Sequence, residues 1–216
     1  MSDNDRMAAT TRTPDLRLED RQPPMGLRER KKLKTRIAIR RATYRLIAEQ
    51  GYEATTVEQI AEAAEVSPST VFRYFPAKED IVLTDEYDPA MLQVLRSRPA
   101  DEPPLESLRF IMTCALRMFL ENEHDELIQR TRLMVEVPAI RARMTETMTD
   151  TAQMLVHALA ERTGRAPDDV ALRVFTAAVL GALREVTVYW GERGFQDDLI
   201  ELVDGALDTL KGGLEL

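Results

Sequence analysis

TTVEQIAEAAEVSPSTVFRYFPAK, residues Thr55 to Lys78, contains two helix starts separated by a short turn. The first start lies at Thr55 or Thr56. Either hydroxyl can accept a hydrogen bond from a free backbone amide, and Glu58 or Gln59 stands three residues on to complete a capping box. Val57, Ile60, Ala61 and Ala64 then recur at i, i+3, i+4 and i+7, which makes one apolar stripe on a short helix. The second start follows at once, with Ser67 as N-cap and Pro68 supplying the fixed φ suited to a first helical position. Val71 and Phe75, four apart, share the inward face of this second helix, leaving Ser69, Thr70, Arg73 and Tyr74 on its other faces. The spacing predicts a helix-turn-helix.

Phe72, Arg73, Tyr74 and Phe75 are consecutive, so they cannot all be buried by one helix, and Lys78 follows closely. A helix docked in a major groove needs short polar groups for base edges and longer cationic or hydroxyl groups for phosphates. Ser69, Thr70, Tyr74 and Lys78 fit that division. Upstream, Arg28 to Arg45 holds nine basic residues against the single acid Glu29. Cations at a helix N-terminus oppose the macrodipole, so phosphate neutralisation explains them better than stability does. Leu33, Ile37, Tyr44 and Ile47 recur at helical spacing through the same stretch and predict one helix to Gln50, closed by Gly51. The candidate DNA-binding set is Arg30, Lys31, Lys34, Thr56, Ser67, Pro68, Ser69, Thr70, Phe72, Arg73, Tyr74 and Lys78, with double-stranded DNA as partner.

Gly51, Thr55-Thr56, Ile60-Ala61 and the run Phe72 to Glu79 together resemble the DNA-binding domain of the TetR family of bacterial transcriptional regulators. The detailed resemblance covers about Arg30 to Leu83. It implies an all-α fold: an N-terminal three-helix helix-turn-helix domain followed by a helical ligand-binding and dimerisation domain. It also implies a regulator, a repressor released from its operator by a small molecule. Two residues depart from the family pattern. Glu65 occupies the turn where the family usually has Gly, which predicts a shifted or mildly strained turn. Phe72 stands where the family often has Tyr, so apolar contact replaces a phosphate hydrogen bond there.

The whole chain carries a net charge of −8, which does not describe a nucleic-acid binder until the chain is divided. Residues 1 to 78 carry +4 and residues 79 to 216 carry −12. Such a dipolar molecule approaches DNA basic end first. Residues 1–27 are polar, proline-bearing and aperiodic, and are expected to form a disordered N-terminal arm. Residues 28–77 make the DNA-binding domain and residues 78–216 the ligand-binding and dimerisation domain. No run of apolar residues is long enough to span a membrane, and a cytoplasmic location with no membrane partner is expected. Cys114 is the only cysteine, read as a small buried hydrophobe rather than a redox switch.

In the second domain a linking helix is expected near 78–88, with Pro89, Pro99, Pro103 and Pro104 bordering the connection that follows. Further helices are expected near 105–122, 125–136, 139–163, 168–191 and 197–211. The penultimate one has apolar or small residues on nearly every side and the last has an apolar stripe, which predicts a homodimer built as a four-helix interface from both copies. A two-fold dimer places recognition helices about 34 to 36 Å apart on a partly palindromic operator. Seven methionines, at 91, 112, 118, 134, 144, 148 and 154, lie towards the front of this domain and suit an adaptable pocket for a small, mainly apolar ligand. Met112, Leu116, Phe119, Met134, Met148 and Phe175 are its expected lining. His124 and His157 are the only histidines, and no HExxH, paired-cysteine, GxSxG or Gly-rich phosphate motif occurs. No catalysis, cofactor or metal is expected. A metal site at Glu121, Glu123, His124, Asp125 and Glu126 is the weaker alternative to a solvated helix junction. Other readings are a ligand-independent regulator or an activator, and an all-helical small-molecule-binding protein or enzyme without specific DNA binding.

Overall fold

A computed structural model describes residues 26–84 and 88–214. The expected arm therefore lies almost wholly outside the described residues. Among these residues the architecture is all-helical, with ten helices: α1 (Leu27–Gln50), α2 (Val57–Ala63), α3 (Pro68–Tyr74), α4 (Lys78–Leu83), α5 (Asp88–Ser97), α6 (Pro104–Asn122), α7 (His124–Glu136), α8 (Pro138–Thr163), α9 (Val170–Glu192) and α10 (Leu199–Lys211).

Local chemistry sets most of the boundaries. Thr56 caps α2 by accepting from the Gln59 amide while the Gln59 side chain accepts from the Thr56 amide. Thr55, by contrast, is buried, and its hydroxyl donates to the Gly51 carbonyl at 2.8 Å. Ser67 caps α3 with Pro68 in its first turn. Gly51, at φ +87°, closes α1, and Gly164, at φ +68°, closes α8. Asp169 and Asp198 accept from the first free amides of α9 and α10.

One prediction from proline spacing fails. The single linking helix near 78–88 is two helices: Thr84 is extended and ends α4, and Pro89 lies inside the first turn of α5 rather than beyond a helix end. Proline is tolerated in a first turn, where its missing N–H would be unsatisfied anyway, so it marks a start as readily as a stop. Pro104 and Pro138 do the same for α6 and α8.

Three apolar clusters organise the chain. The first joins α1 to α4 around Ile39, Ile60, Ala61, Val71, Phe75 and Ile81, all essentially inaccessible. The second is the core of the larger domain, built from α5, α6, α8, α9 and α10. There Trp190 packs edge-on to Phe195, with centroids 4.9 Å apart, and donates its indole N–H to the Asp197 carbonyl. Between the two lies the third, a joint in which Tyr44, Ile47, Tyr52, Val82 and Leu83 meet Leu133, Met134, Ile140 and Met144. Helix α4 thus serves both sides: Ile81 faces the helix-turn-helix while Val82 and Leu83 face the body.

The α2–α3 turn carries the strain expected of a non-glycine residue. Glu65 sits at φ +55°, left-handed, while the Val66 amide reaches back to the Ala61 carbonyl at 2.9 Å. That conformation costs an L-residue about 1 kcal/mol, whereas glycine adopts it freely. Glu65→Gly is accordingly expected to stabilise the protein by about 0.5–1 kcal/mol, less whatever glycine adds to unfolded-state entropy. A urea midpoint at or below wild type would refute it.

Candidate nucleic-acid interface and ligand cavity

Helix α3 is held by its buried side and offers the other. Val71 and Phe75 are each 1% exposed and anchor it on the core, while Ser69, Phe72 and Arg73 are exposed and Thr70 half so. At its N-terminus Ser67 Oγ lies 2.9 Å from both Ser69 Oγ and Thr70 Oγ1, and it accepts from the Thr70 amide. Three hydroxyls therefore gather at the end that enters a groove in helix-turn-helix docking, each able to rotate between donor and acceptor. Phe72 is half exposed, an apolar surface with no hydroxyl to offer. Arg73 lies over the Tyr74 ring at 5.2 Å, and the half-buried Tyr74 packs against the domain core.

Helix α1 runs beside this surface. The Arg36 guanidinium lies 5.5 Å from the Phe75 ring centroid, which places the middle of α1 against the end of α3. Arg30, Lys31 and Lys34 are all exposed on the first turns of α1, on sides of the helix away from Arg36. Arg36, which the sequence pattern alone does not single out, is brought to the edge of the surface by this packing.

Two cations of the expected phosphate-binding group are used inside the protein. Lys78 Nζ donates to the Tyr52 and Thr55 carbonyls, 2.9 Å each, and lies 3.9 Å from the Tyr52 ring centroid. It ties the α1–α2 loop to α4. Arg40 is 6% exposed and reaches Glu123 and Glu126 at 3.4 Å, at the junction of α6 and α7. The acidic cluster at that junction thus has a partner in another domain. No grouping of three or more His, Cys, Asp or Glu that could hold a metal occurs among the described residues.

More ties cross the same joint. Gln129 donates to the Tyr44 carbonyl and Arg130 to the Leu83 carbonyl, both at 2.8 Å. Arg143 of α8 grips Asp80 of α4 with two nitrogens, at 2.7 and 3.2 Å. The carboxylates of Asp80 and Glu146 push the Arg143 guanidinium further up its already high range.

Within the larger domain an apolar cavity of about 190 Å³ lies between α5, α6, α8 and α9. Met91, Leu92 and Leu95 close it from α5, Leu108, Ile111 and Met112 from α6, and Val179, Leu180 and Leu183 from α9. Of the expected lining only Met112 takes part. Leu116 and Phe175 pack against the same core away from the cavity, and Phe119 is half-buried elsewhere on α6. Met134 belongs to the interdomain joint, and Met148 faces an outer groove. Methionine content points to the domain but not to which side chains converge, because convergence depends on the unpredicted helix α5. Met91, Leu92 and Leu95 have the spacing of an inward helical face, a signal present in the sequence once α5 is admitted. Cys114 is half-buried, and burial pushes its thiol above the ordinary range.

A small helical head that presents hydroxyls and cations, carried on a larger helical body with an internal cavity, defines a DNA-binding transcriptional regulator. Residues 39–84 match the family described as bacterial regulatory proteins, tetR family, and residues 102–215 match the MftR C-terminal domain. The HTH-type transcriptional regulator TcmR of Streptomyces glaucescens is 35% identical over 94% of both chains. The chain belongs to the TetR family of bacterial transcriptional regulators. Among solved structures, the fatty acid degradation regulator FadR of Bacillus halodurans has a TM-score of 0.56 and 25% identity, covering 84% of this chain and 96% of its own. FadR of Bacillus subtilis in complex with stearoyl-CoA has a TM-score of 0.55 and 22% identity, covering 81% and 96%, and shares the fold. No helix among the described residues is long and apolar enough to cross a membrane.

Proposed function

We propose that the protein is a homodimeric, cytoplasmic repressor whose hold on a partly palindromic operator is relaxed by a small, mainly apolar ligand bound in the α5–α6–α8–α9 cavity. The observation that carries this reading is the placement of α6. Leu108, Ile111 and Met112 line the cavity, and beyond them the helix ends at Asn122, where its C-cap Glu123 faces Arg40 of α1. A ligand that displaces α6 therefore acts on the joint that aims the DNA-binding head. It shifts the protein off DNA only to the extent that it binds the DNA-incompetent arrangement more tightly.

Pairing is supported by α9. Val174, Ala178, Gly181, Glu185 and Tyr189 share an exposed face, with Val174 62% and Tyr189 45% exposed. Gly181 leaves open space above its backbone, so a second helix can approach closely. This face and the neighbouring side of α10 are the proposed interface. Static light scattering at micromolar concentration should give twice the mass of one chain, and a single-chain mass would refute the interface.

Gel shifts on the DNA upstream of the protein's own gene test the reading as a whole. A salt-sensitive, sequence-selective complex is expected, released by an apolar compound that also raises the melting temperature. Thr70→Ala should change the preferred sequence, costing about 1–3 kcal/mol at the base it reads and little elsewhere. A uniform loss across all sequences would remove Thr70 from base readout.

A further inference from the structure

On the outer side of the α8–α9 seam from the cavity runs an open groove of about 720 Å³. We propose that the cavity and this groove are the two halves of one binding site for an amphipathic anion, with Leu180 as the partition between them. The proposal rests on the ligand-binding reading above and specifies the chemistry of the ligand.

Leu180 is the residue common to both linings, and it is only half-buried. A rotation about its side chain is the local change the proposal requires to join the two spaces. The two sides differ in character. Thr151 is the one hydroxyl on the cavity wall, and it donates to the Thr147 carbonyl at 3.2 Å, leaving hydrocarbon and thioether to meet a ligand. An apolar cavity of about 150 Å³ holds benzene, so this one takes an uncharged ring with one or two further carbons. A charged group has no partner there and stays outside.

The groove supplies that partner. Its lining includes Arg173, His157 and Gln153 and no aspartate or glutamate, although residues 79 to 216 carry −12. Several arginines of this domain are tied to acids, Arg96 to Glu161, Arg109 to Asp204 and Asp208, Arg165 to Asp169, while Arg132 lies over the Phe195 ring and Arg141 donates to the Val135 carbonyl. Arg173 is exposed and has no carboxylate within ion-pair distance among the described residues. It lies seven residues before Leu180 on α9, a rise of about 10 Å. A ring seated behind Leu180 thus reaches Arg173 through a chain of about five or six carbons, and a carboxylate there meets a fork of N–H donors. Around the axis of α9, Arg173 and Leu180 lie about a quarter turn from the face centred on Val174 and Gly181. Val174 belongs both to the groove wall and to the proposed dimer face, so the groove borders that contact along α9.

Calorimetric titration of the full-length protein with three probes tests the proposal: benzene, ω-phenylhexanol and ω-phenylhexanoate. The acid should bind about tenfold more tightly than the alcohol, the margin of a charge-assisted hydrogen bond. Arg173→Gln should abolish that margin without changing the affinity for the alcohol, and Arg173→Lys should keep most of it. Equal affinity of acid and alcohol in the wild type, or an unchanged margin in Arg173→Gln, overturns the two-part site while leaving the apolar cavity as a binding site. If benzene and the alcohol also fail to bind, the ligand-binding reading falls with it.

Discussion

Replacing Asp80 with alanine is expected to lower the stability of the full-length protein by about 3 kcal/mol. Asp80 is 5% exposed and works at both ends of its carboxylate. One oxygen accepts from the Ala77 amide at 2.9 Å and caps α4, a helix of only six residues. Both accept from Arg143, which reaches across from α8. Loss of the cap costs about 1 kcal/mol and loss of two charge-assisted bonds the remainder. Alanine also deprives Arg143 of its buried partner, leaving Glu146 and solvent. Asp80→Asn keeps an acceptor for the cap but loses the ion pair, so it should fall between the two. Urea unfolding followed by far-ultraviolet circular dichroism measures both, and a loss below about 1 kcal/mol for Asp80→Ala would show that the joint does not depend on this carboxylate. Since α4 carries apolar residues of both domains, operator affinity should fall in parallel with stability.

Removing the three exposed cations of α1 together, as Arg30→Gln, Lys31→Gln and Lys34→Gln, is expected to weaken operator binding about a hundredfold at physiological salt. It should flatten the dependence of log affinity on log salt by about 2.7, or about 0.9 for each phosphate no longer neutralised. The weakening should be the same for operator and unrelated DNA, because phosphates carry no sequence. Folding should be unaffected, since these side chains are exposed and stand beyond the buried part of α1, which begins at Ile39. Fluorescence anisotropy across a salt series reads both numbers, and an unchanged slope would remove α1 from the DNA interface. Lys78 is different. Its ammonium is committed to two carbonyls and an aromatic ring, so Lys78→Ala acts first on the α1–α2 loop and only secondarily on DNA.

Asp80 and the α1 cations mark how far the chain is legible before it folds. The helix-turn-helix is legible because its determinants are local: Thr56 with Gln59, Ser67 with Pro68, and Val71 with Phe75 interact within a few residues of one another. The long helices of the larger domain are legible for the same reason, to within a few residues at each end. Helix α5 is not, because Pro89 reads as a border, and a proline in a first turn looks the same in sequence as one that ends a helix. That one ambiguity hides Met91, Leu92 and Leu95 and with them the location of the cavity. Arg40 looks like its neighbours on α1, and no sequence signal distinguishes a cation facing phosphate from one facing Glu123, which is 83 residues away.

The sequence by itself determined that this is an all-helical protein with a basic DNA-reading head and an acidic body, because caps, periodicity and charge act over one or two helical turns or over whole segments. The tertiary structure decided which charges are exposed, which are committed to the joint, and where the cavity and its adjoining groove lie. Those depend on which faces of distant helices abut, and side chains far apart in sequence meet only once the helices have packed.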